Sequence, residues 1–292
     1  MYVVIGAGGF LGNYLIRAIL ELTKENVLAV SRSSSSRRIN ARVEQARCDV
    51  THREDIYSLY ERVRHEKIKV LYLAAMHHPD EILTSPLRAW NANIAALADF
   101  LGIFESMDAF YYTSTEVVYG ETGGIPVDES APLHPISRYG ELKALAEQIV
   151  IAAGHHVVRY PVLMGPSLVA GKKHFYDEIV DAAFCGRRME MFHDQKRSML
   201  DFRTAAELTV RLMECPEARR YNVVNVSSDE VLSKYDMAVR IAEAHGLDSS
   251  GFVAVTMGSS PVFKEKRASE TILDNNLIKN ILQLPNITMR FE

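Results

Sequence analysis

The chain of 292 residues has only three cysteines, one tryptophan and no excess of basic charge. Cys48, Cys185 and Cys215 are odd in number, far apart and form no CxxC pair. Buried structural thiols in a reduced, cytoplasmic compartment are the expectation for such usage. Lys and Arg total 33 against 37 Asp and Glu, a net charge of −4. That balance lacks the basic footprint for binding nucleic acid or an anionic membrane surface. No uncharged apolar run approaches the ~20 residues of a membrane-spanning helix. The opening MYVVIGAGG has no basic n-region, so no signal peptide is expected. Internal repeats are absent, and the only low-complexity stretch is the serine-rich loop from Ser31 to Ser36.

What is there is globular. Hydrophobic residues make up 48% and charged residues 24%, enough for a sizeable core and too apolar for disorder. At roughly 150 residues per domain, the length suggests about two domains. Short β-rich runs alternate with helical periodicity. The pattern predicts strands at 3–5, 27–30, 70–75, 110–114 and 157–159, with another ending at 48–50. It predicts helices over 10–22, 56–63, 87–104 and 137–152. Such alternation implies βαβ units and a parallel sheet covered on both faces. Beyond Pro161 the pattern is irregular, with helices near 174–184 and 231–245 and a strand near 221–226.

Gly6, Gly9 and Gly12 are spaced GxxGxxG between the first strand and first helix, with Phe10 and Leu11 between the last two. Glycine allows a sharp turn, close approach to a pyrophosphate and tight helix packing. The helix N-terminus offers unpaired N–H groups to the anion. At the end of the second strand, where an NAD-selective site carries an acid, stand Ser31 and Arg32, with Arg37 and Arg38 nearby. A guanidinium suits a 2′-phosphate, so NADP(H) is expected in preference to NAD(H); decoration of a solvated loop is the other reading of these arginines.

Tyr139 and Lys143 are four residues apart in a predicted helix and share one face. A nearby ammonium, together with the positive ring of an oxidised nicotinamide, would bring the tyrosine pKa down from ~10 and ready it for acid–base work. Thr115 ends a β-rich run at the sheet edge where ligands bind in open α/β folds, and its hydroxyl can hydrogen-bond a reacting oxygen. Each has a plain structural alternative: a surface pair, and a strand-end cap.

Taken together, these motifs resemble those of extended short-chain dehydrogenase/reductases, the superfamily of nucleotide-sugar epimerases, dehydratases and reductases. The resemblance is carried by the glycine triplet, Cys48-Asp49-Val50, Leu73-Ala74-Ala75, Asn91-x-Asn93, Thr115 within STEVVYG, Tyr139-x-x-x-Lys143 and Arg159-Tyr160-Pro161-x-x-x-Gly165-Pro166. It implies that Asp49 meets the adenine amino group and Val50 the ring. Leu73, Ala74 and Ala75 would line the cofactor cleft, and Asn93 would brace the central strands. Tyr160 and Pro161 would lie by the nicotinamide. Tyr139 would exchange the proton, Lys143 would hold the nicotinamide ribose, and Thr115 would complete the triad. The implied fold is a Rossmann-type doubly wound α/β sheet. Residues 1–165 would form the NADP-binding domain, with a return segment at 197–226. Residues 166–196 and 227–292 would form a smaller, interleaved substrate-binding cap.

The stretch from Lys266 to Asn275 is similar to one in dTDP-4-dehydrorhamnose reductases, departing at Ala268, where proline is expected. The segment Arg197–Phe202 resembles a phosphate-holding part of the cap, with Thr204 where an Asp is usual. Arg197 and Arg267 are the phosphate candidates, with a surface salt bridge as the alternative for each. His77, which follows Leu73-Ala74-Ala75 into the cleft, and Glu116 are further substrate candidates. Val117 stands where dehydratases carry a glutamate, which argues against dehydration. The expectation is therefore NADPH-dependent reduction of a nucleotide-activated 4-keto-6-deoxyhexose. An epimerase with retained NAD(P) and a catalytically silent nucleotide-binding regulator are the alternatives. The adjacent pairs His77-His78 and His155-His156 are poor chelators, and no metal is expected. Trp90 and the methionines read as core or interface. By the resemblance, the helices over 87–104 and 137–152 form a homodimer interface.

Overall fold

In a computed structural model, described for residues 1–33, 37–38, 41–259 and 265–291, the first half of the chain alternates strand and helix. β1 (Tyr2–Ile5) turns through the glycines into α1 (Phe10–Leu22), followed by β2 (Val27–Ser31), the two-residue β3 (Arg37–Arg38) and β4 (Val43–Arg47). α2 (Arg53–Val63) returns to β5 (Lys69–Tyr72). Three short helices, α3 (Pro79–Thr84), α4 (Pro86–Trp90) and α5 (Ala96–Ile103), lead to β6 (Ala109–Thr115). A π-helical turn at Asn91–Ala95 joins α4 to α5, so the helix expected over 87–104 is interrupted by one wide turn. Asn93 of that turn is buried and clamps the chain after β5, accepting from Met76 N at 2.7 Å and donating to Met76 O at 3.0 Å.

The second half holds β7 (Pro126–Val127), α6 (Arg138–Ala152), β8 (His156–Tyr160), β9 (Val162–Met164), α7 (Phe175–Phe184), β10 (Met189–Phe192) and β11 (Lys196–Asp201). α8 (Phe202–Glu214), β12 (Val223–Asn225), β13 (Val231–Ser233), α9 (Lys234–Ala244), β14 (Phe252–Val255), β15 (Glu270–Leu273) and α10 (Asn276–Leu282) follow. The large sheet has the order β12-β8-β6-β5-β1-β2-β4-β3. Its neighbours pair in parallel except at β3, which runs antiparallel to β4. The chain moves outward from β1 to β2 and β4, then returns to lay β5 on the other side of β1. Ligands bind at such a reversal.

Alternation of side chains along the strands builds two cores. Val4, Leu71, Tyr111 and Val158 face one side, with Leu15 and Ile19 of α1 and Ala205, Leu208 and Leu212 of α8. Val3, Val70, Tyr112 and Val157 face the other, with residues of α2, α5 and α6. A third core, with Ile179, Met191, Met237 and Ile241, fills the smaller unit around α7 and α9. β11 links the two units: its first half pairs with β13 and β15, its second half with β9, and α8 then lies on the large sheet. Ile278 and Ile287 reach into that same core, so the tail also touches the large unit.

Several boundaries differ from the periodicity. The third parallel strand ends at Arg47; Cys48 N adds one more bond, to Ser31 O, and the chain then turns at Asp49, whose carbonyl accepts His52 N. β5 ends at Tyr72, before Ala75. Residues 231–233 are a strand, and α9 starts at Lys234, capped by Ser233 in a reciprocal box with Asp236. α8 has no counterpart among the sequence expectations. Only Cys48 of the cysteines is buried; Cys185 is exposed and Cys215 half-buried. Trp90 is 47% and Leu87 81% exposed, so neither belongs to the core. No helix among the described residues is long and apolar enough to cross a membrane.

Candidate active site

The glycine turn is close-packed by necessity. Gly6 has φ +91°, and a Cβ there would lie 3.0 Å from Ala74 N. A Cβ on Gly12 would come within 2.8 Å of Ala7 Cα and Gly6 O. α1 begins after Gly9 with no side-chain cap and no acid in its first turn. A side chain would close this cradle, and the bare helix end leaves N–H groups for an anion. These features fit the pyrophosphate of a dinucleotide.

At the end of β2, Ser31 O receives Cys48 N, and Arg32 is exposed. Asp49 lies within electrostatic reach of Arg32; against the opposing effect of partial burial, hydrogen bonds from Thr51 hold its carboxyl below the ordinary value. Val50 is buried beside it. The side chains of Arg37 and Arg38 lie outside the described residues, as does part of the serine-rich loop.

A cavity of about 370 Å³ opens beside the turn. Gly6, Gly9, Phe10, Leu11 and Gly12 form one wall; Leu73, Ala75 and His77 continue it beyond β5. Thr115, Tyr139 and Lys143 line the same cavity, with Tyr160 and Pro161. His174 and Phe202 also border it. The expected triad is therefore brought together with the glycine turn. Ala74, Val50, Asp49, Asn93, Ser31 and Arg32 are not on its wall.

Thr115 ends β6, and its Oγ1 accepts Val117 N at 3.4 Å, which leaves its proton for another acceptor. Lys143 is 3% exposed and donates to Thr113 O at 2.7 Å and to Tyr112 Oη at 3.0 Å. Burial brings its pKa down to about 7, opposed by Glu147. Burial also pushes the Tyr139 phenol above its ordinary value. Without the nicotinamide ring, burial alone sets the direction for Tyr139, and the hydrogen bonds of the Lys143 ammonium go to β6.

Glu116 and Arg197 stand differently from the sequence expectation. Both are buried, and Arg197 Nη1 donates to Glu116 Oε1 at 2.7 Å while Nη2 donates to Ala268 O at 3.1 Å. Burial raises the Glu116 carboxyl to about 7, with Arg197 opposing. The pair ties the end of β6 to the cap rather than lining the cavity. Arg267 is half-buried; burial lowers its pKa, and Asp80 opposes this.

Three residues near the site escaped sequence reasoning. Tyr112 holds Lys143. Lys234 opens α9 within electrostatic reach of Arg267 and Arg197, and burial followed by these two charges lowers it to about 8. His174 caps α7, and its Nδ1 accepts Tyr176 N. Its ring meets Phe10 and Phe202 edge-on, at 4.8 and 5.0 Å. Burial lowers His174 to about 4, so it is neutral, and the bond at Nδ1 places its proton on Nε2. The only available signal was its place at the start of a helical pattern. Among the described residues, no group of three or more His, Cys, Asp or Glu gathers as a metal site.

The profile of the NAD dependent epimerase/dehydratase family matches residues 2–235. A UDP-glucose 4-epimerase from Lactobacillus helveticus is 28% identical over 154 residues, 50% of this chain and 45% of that protein. A methionine adenosyltransferase 2 subunit beta from Rattus norvegicus is 26% identical over 217 residues, 73% of this chain and 64% of that protein. The chain thus spans less than two-thirds of the length of either relative. A hypothetical dTDP-4-dehydrorhamnose reductase from Sulfolobus tokodaii shares the fold, with a TM-score of 0.82, 21% identity, and coverage of 99% of this chain and 97% of that one.

Proposed function

Because this chain belongs to the NAD dependent epimerase/dehydratase family, we propose that it reduces the keto group of a nucleotide-activated sugar, of the 4-keto-6-deoxyhexose type, with NADPH. The observation that carries this reading is the meeting of Thr115, Tyr139 and Lys143 on one cavity beside the glycine turn. When bound there, a reduced nicotinamide would supply hydride. Gly6, Gly9 and the first turn of α1 would hold its pyrophosphate. Lys143 would hold the ribose with the proton not engaged by β6. Thr115 would donate a hydrogen bond to the sugar oxygen, and Tyr139 would give that oxygen its proton. A phenol pushed up by burial keeps its proton until an alkoxide needs it, which suits an acid. Arg32, with no acid at the end of β2, supports preference for the 2′-phosphate of NADPH.

A second reading is favoured by the relative named as a subunit of methionine adenosyltransferase. There the chain would bind the nucleotide and serve another protein without turnover. An epimerase would interconvert sugars with no net use of NADPH. Incubation with NADPH and a panel of nucleotide 4-keto sugars separates the reductase from the other two, since only steady, sugar-dependent oxidation supports it. Without oxidation, interconversion of a nucleotide sugar supports the epimerase, and binding with no change in any sugar supports the subunit. A homodimer through the face of α4 that exposes Leu87 and Trp90, together with α6, completes the proposal.

A further inference from the structure

Tyr139, Lys143 and Glu147 recur every four residues along α6 and form one stripe. An ammonium has three donors, and leaving them unmet in a buried place is costly. Lys143 meets two of them on β6: the Tyr112 hydroxyl at 3.0 Å and the Thr113 carbonyl at 2.7 Å. The Tyr112 ring also lies beneath the charge, 4.4 Å from Nζ to its centroid. Tyr112 is 1% exposed and is not part of the cavity wall, so it acts on a ligand only through Lys143.

We propose that Tyr112 is a positioning residue: its hydroxyl oxygen, with the Thr113 carbonyl, anchors the Lys143 ammonium to β6 and leaves one proton aimed at a ribose hydroxyl of the bound nucleotide. The inference rests on the reading of Lys143 as the residue that holds the cofactor. The other groups around Lys143 do not replace this contact. Glu147 is engaged by Arg159 of β8, whose Nε donates to it at 3.0 Å. Tyr139 lies on the same helix face, and His77 reaches the cavity from the loop after β5. The lowered pKa of Lys143, about 7, makes the anchoring readable, since the residue titrates well apart from exposed lysines near ~10.4.

The test is NMR of the full, nucleotide-free chain labelled with ¹³C at lysine Cε, with the Lys143 signal identified by its loss in Lys143→Met. Tyr112→Phe keeps the ring under the charge and removes the oxygen. A hydrogen bond to a charged group is worth enough that the Lys143 midpoint should fall by about one pH unit or more. Tyr111→Phe is the control: its hydroxyl is buried without a partner and faces the opposite core, so Lys143 should not move. NADPH affinity, followed by fluorescence at pH 8, should fall in Tyr112→Phe but fall no further when Tyr112→Phe is added to Lys143→Met. A merely structural role would lower it in both backgrounds. Should Tyr112→Phe fail to fold, the Tyr112 ring ¹³Cζ signal of the unmodified protein should follow the Lys143 midpoint. An unchanged Lys143 midpoint in Tyr112→Phe, or a Tyr112 signal indifferent to Lys143, overturns the inference. Failure of the unmodified protein to bind NADPH would count against the functional reading instead, while the Lys143 titration still decides the contact.

Discussion

Arg32, exposed at the end of β2 and within electrostatic reach of Asp49, is the residue on which the proposed preference for NADPH rests. Arg32→Ala should weaken NADPH and leave NADH nearly unchanged, since only the former carries a 2′-phosphate. A charged hydrogen bond lost at this site costs about 1.5–3 kcal/mol, roughly tenfold or more in Kd. Titration of both nucleotides against both proteins checks this, and preference of the unmodified protein for NADH would oppose it. Tyr139 and Lys143 were legible because helical spacing alone puts them on one face. Their electrostatics were not, because desolvation depends on what covers them: the phenol goes up and the ammonium comes down. Tyr112 and His174 stayed hidden for a similar reason. Nothing local marks a strand tyrosine as the partner of a lysine 31 residues away.

Among elements, α1 matched its periodicity from Phe10 to Leu22 because one apolar stripe faces one sheet. α8 was missed. Ala205, Leu208 and Leu212 recur at helical spacing and pack on the large sheet, so an amphipathic signal is present in the sequence. The residues 231–233 were merged with α9 because a buried strand and a buried helix start look alike in so short a run. If α8 belongs to the large core as packed here, Leu212→Ala should cost about 2–5 kcal/mol, the range for a buried leucine at a site that cannot collapse. Urea unfolding measures it; a loss well under 1 kcal/mol would place α8 loosely on the sheet.

At the scale of the whole molecule, a buried pair, Glu116 with Arg197, adds to the links between β6 and the cap. Glu116 holds its proton to about 7 when folded and to ~4.3 when unfolded. Between those values the folded chain binds more protons, so stability through this residue falls as pH rises. Arg197→Ala removes the opposing charge and should cost roughly 3–5 kcal/mol, with a larger drop in Tm at pH 8 than at pH 5. Adding Glu116→Gln should abolish that pH dependence; equal drops at both pH values would mean that Glu116 is not the stranded group. At the next level of assembly, sedimentation should give a dimer, and Leu87→Glu should shift it toward monomer; a monomeric unmodified chain would remove the proposed interface. The central claim is that Thr115, Tyr139 and Lys143 form a reducing site. It is tested most directly by NADPH consumption with nucleotide 4-keto sugars, comparing the unmodified protein with Tyr139→Phe. The expected result is steady, sugar-dependent oxidation by the former. The variant should remain folded and bind NADPH equally well, with kcat lower by on the order of 10²–10⁴. No oxidation with any sugar of the panel, or a variant as fast as the unmodified protein, would contradict it.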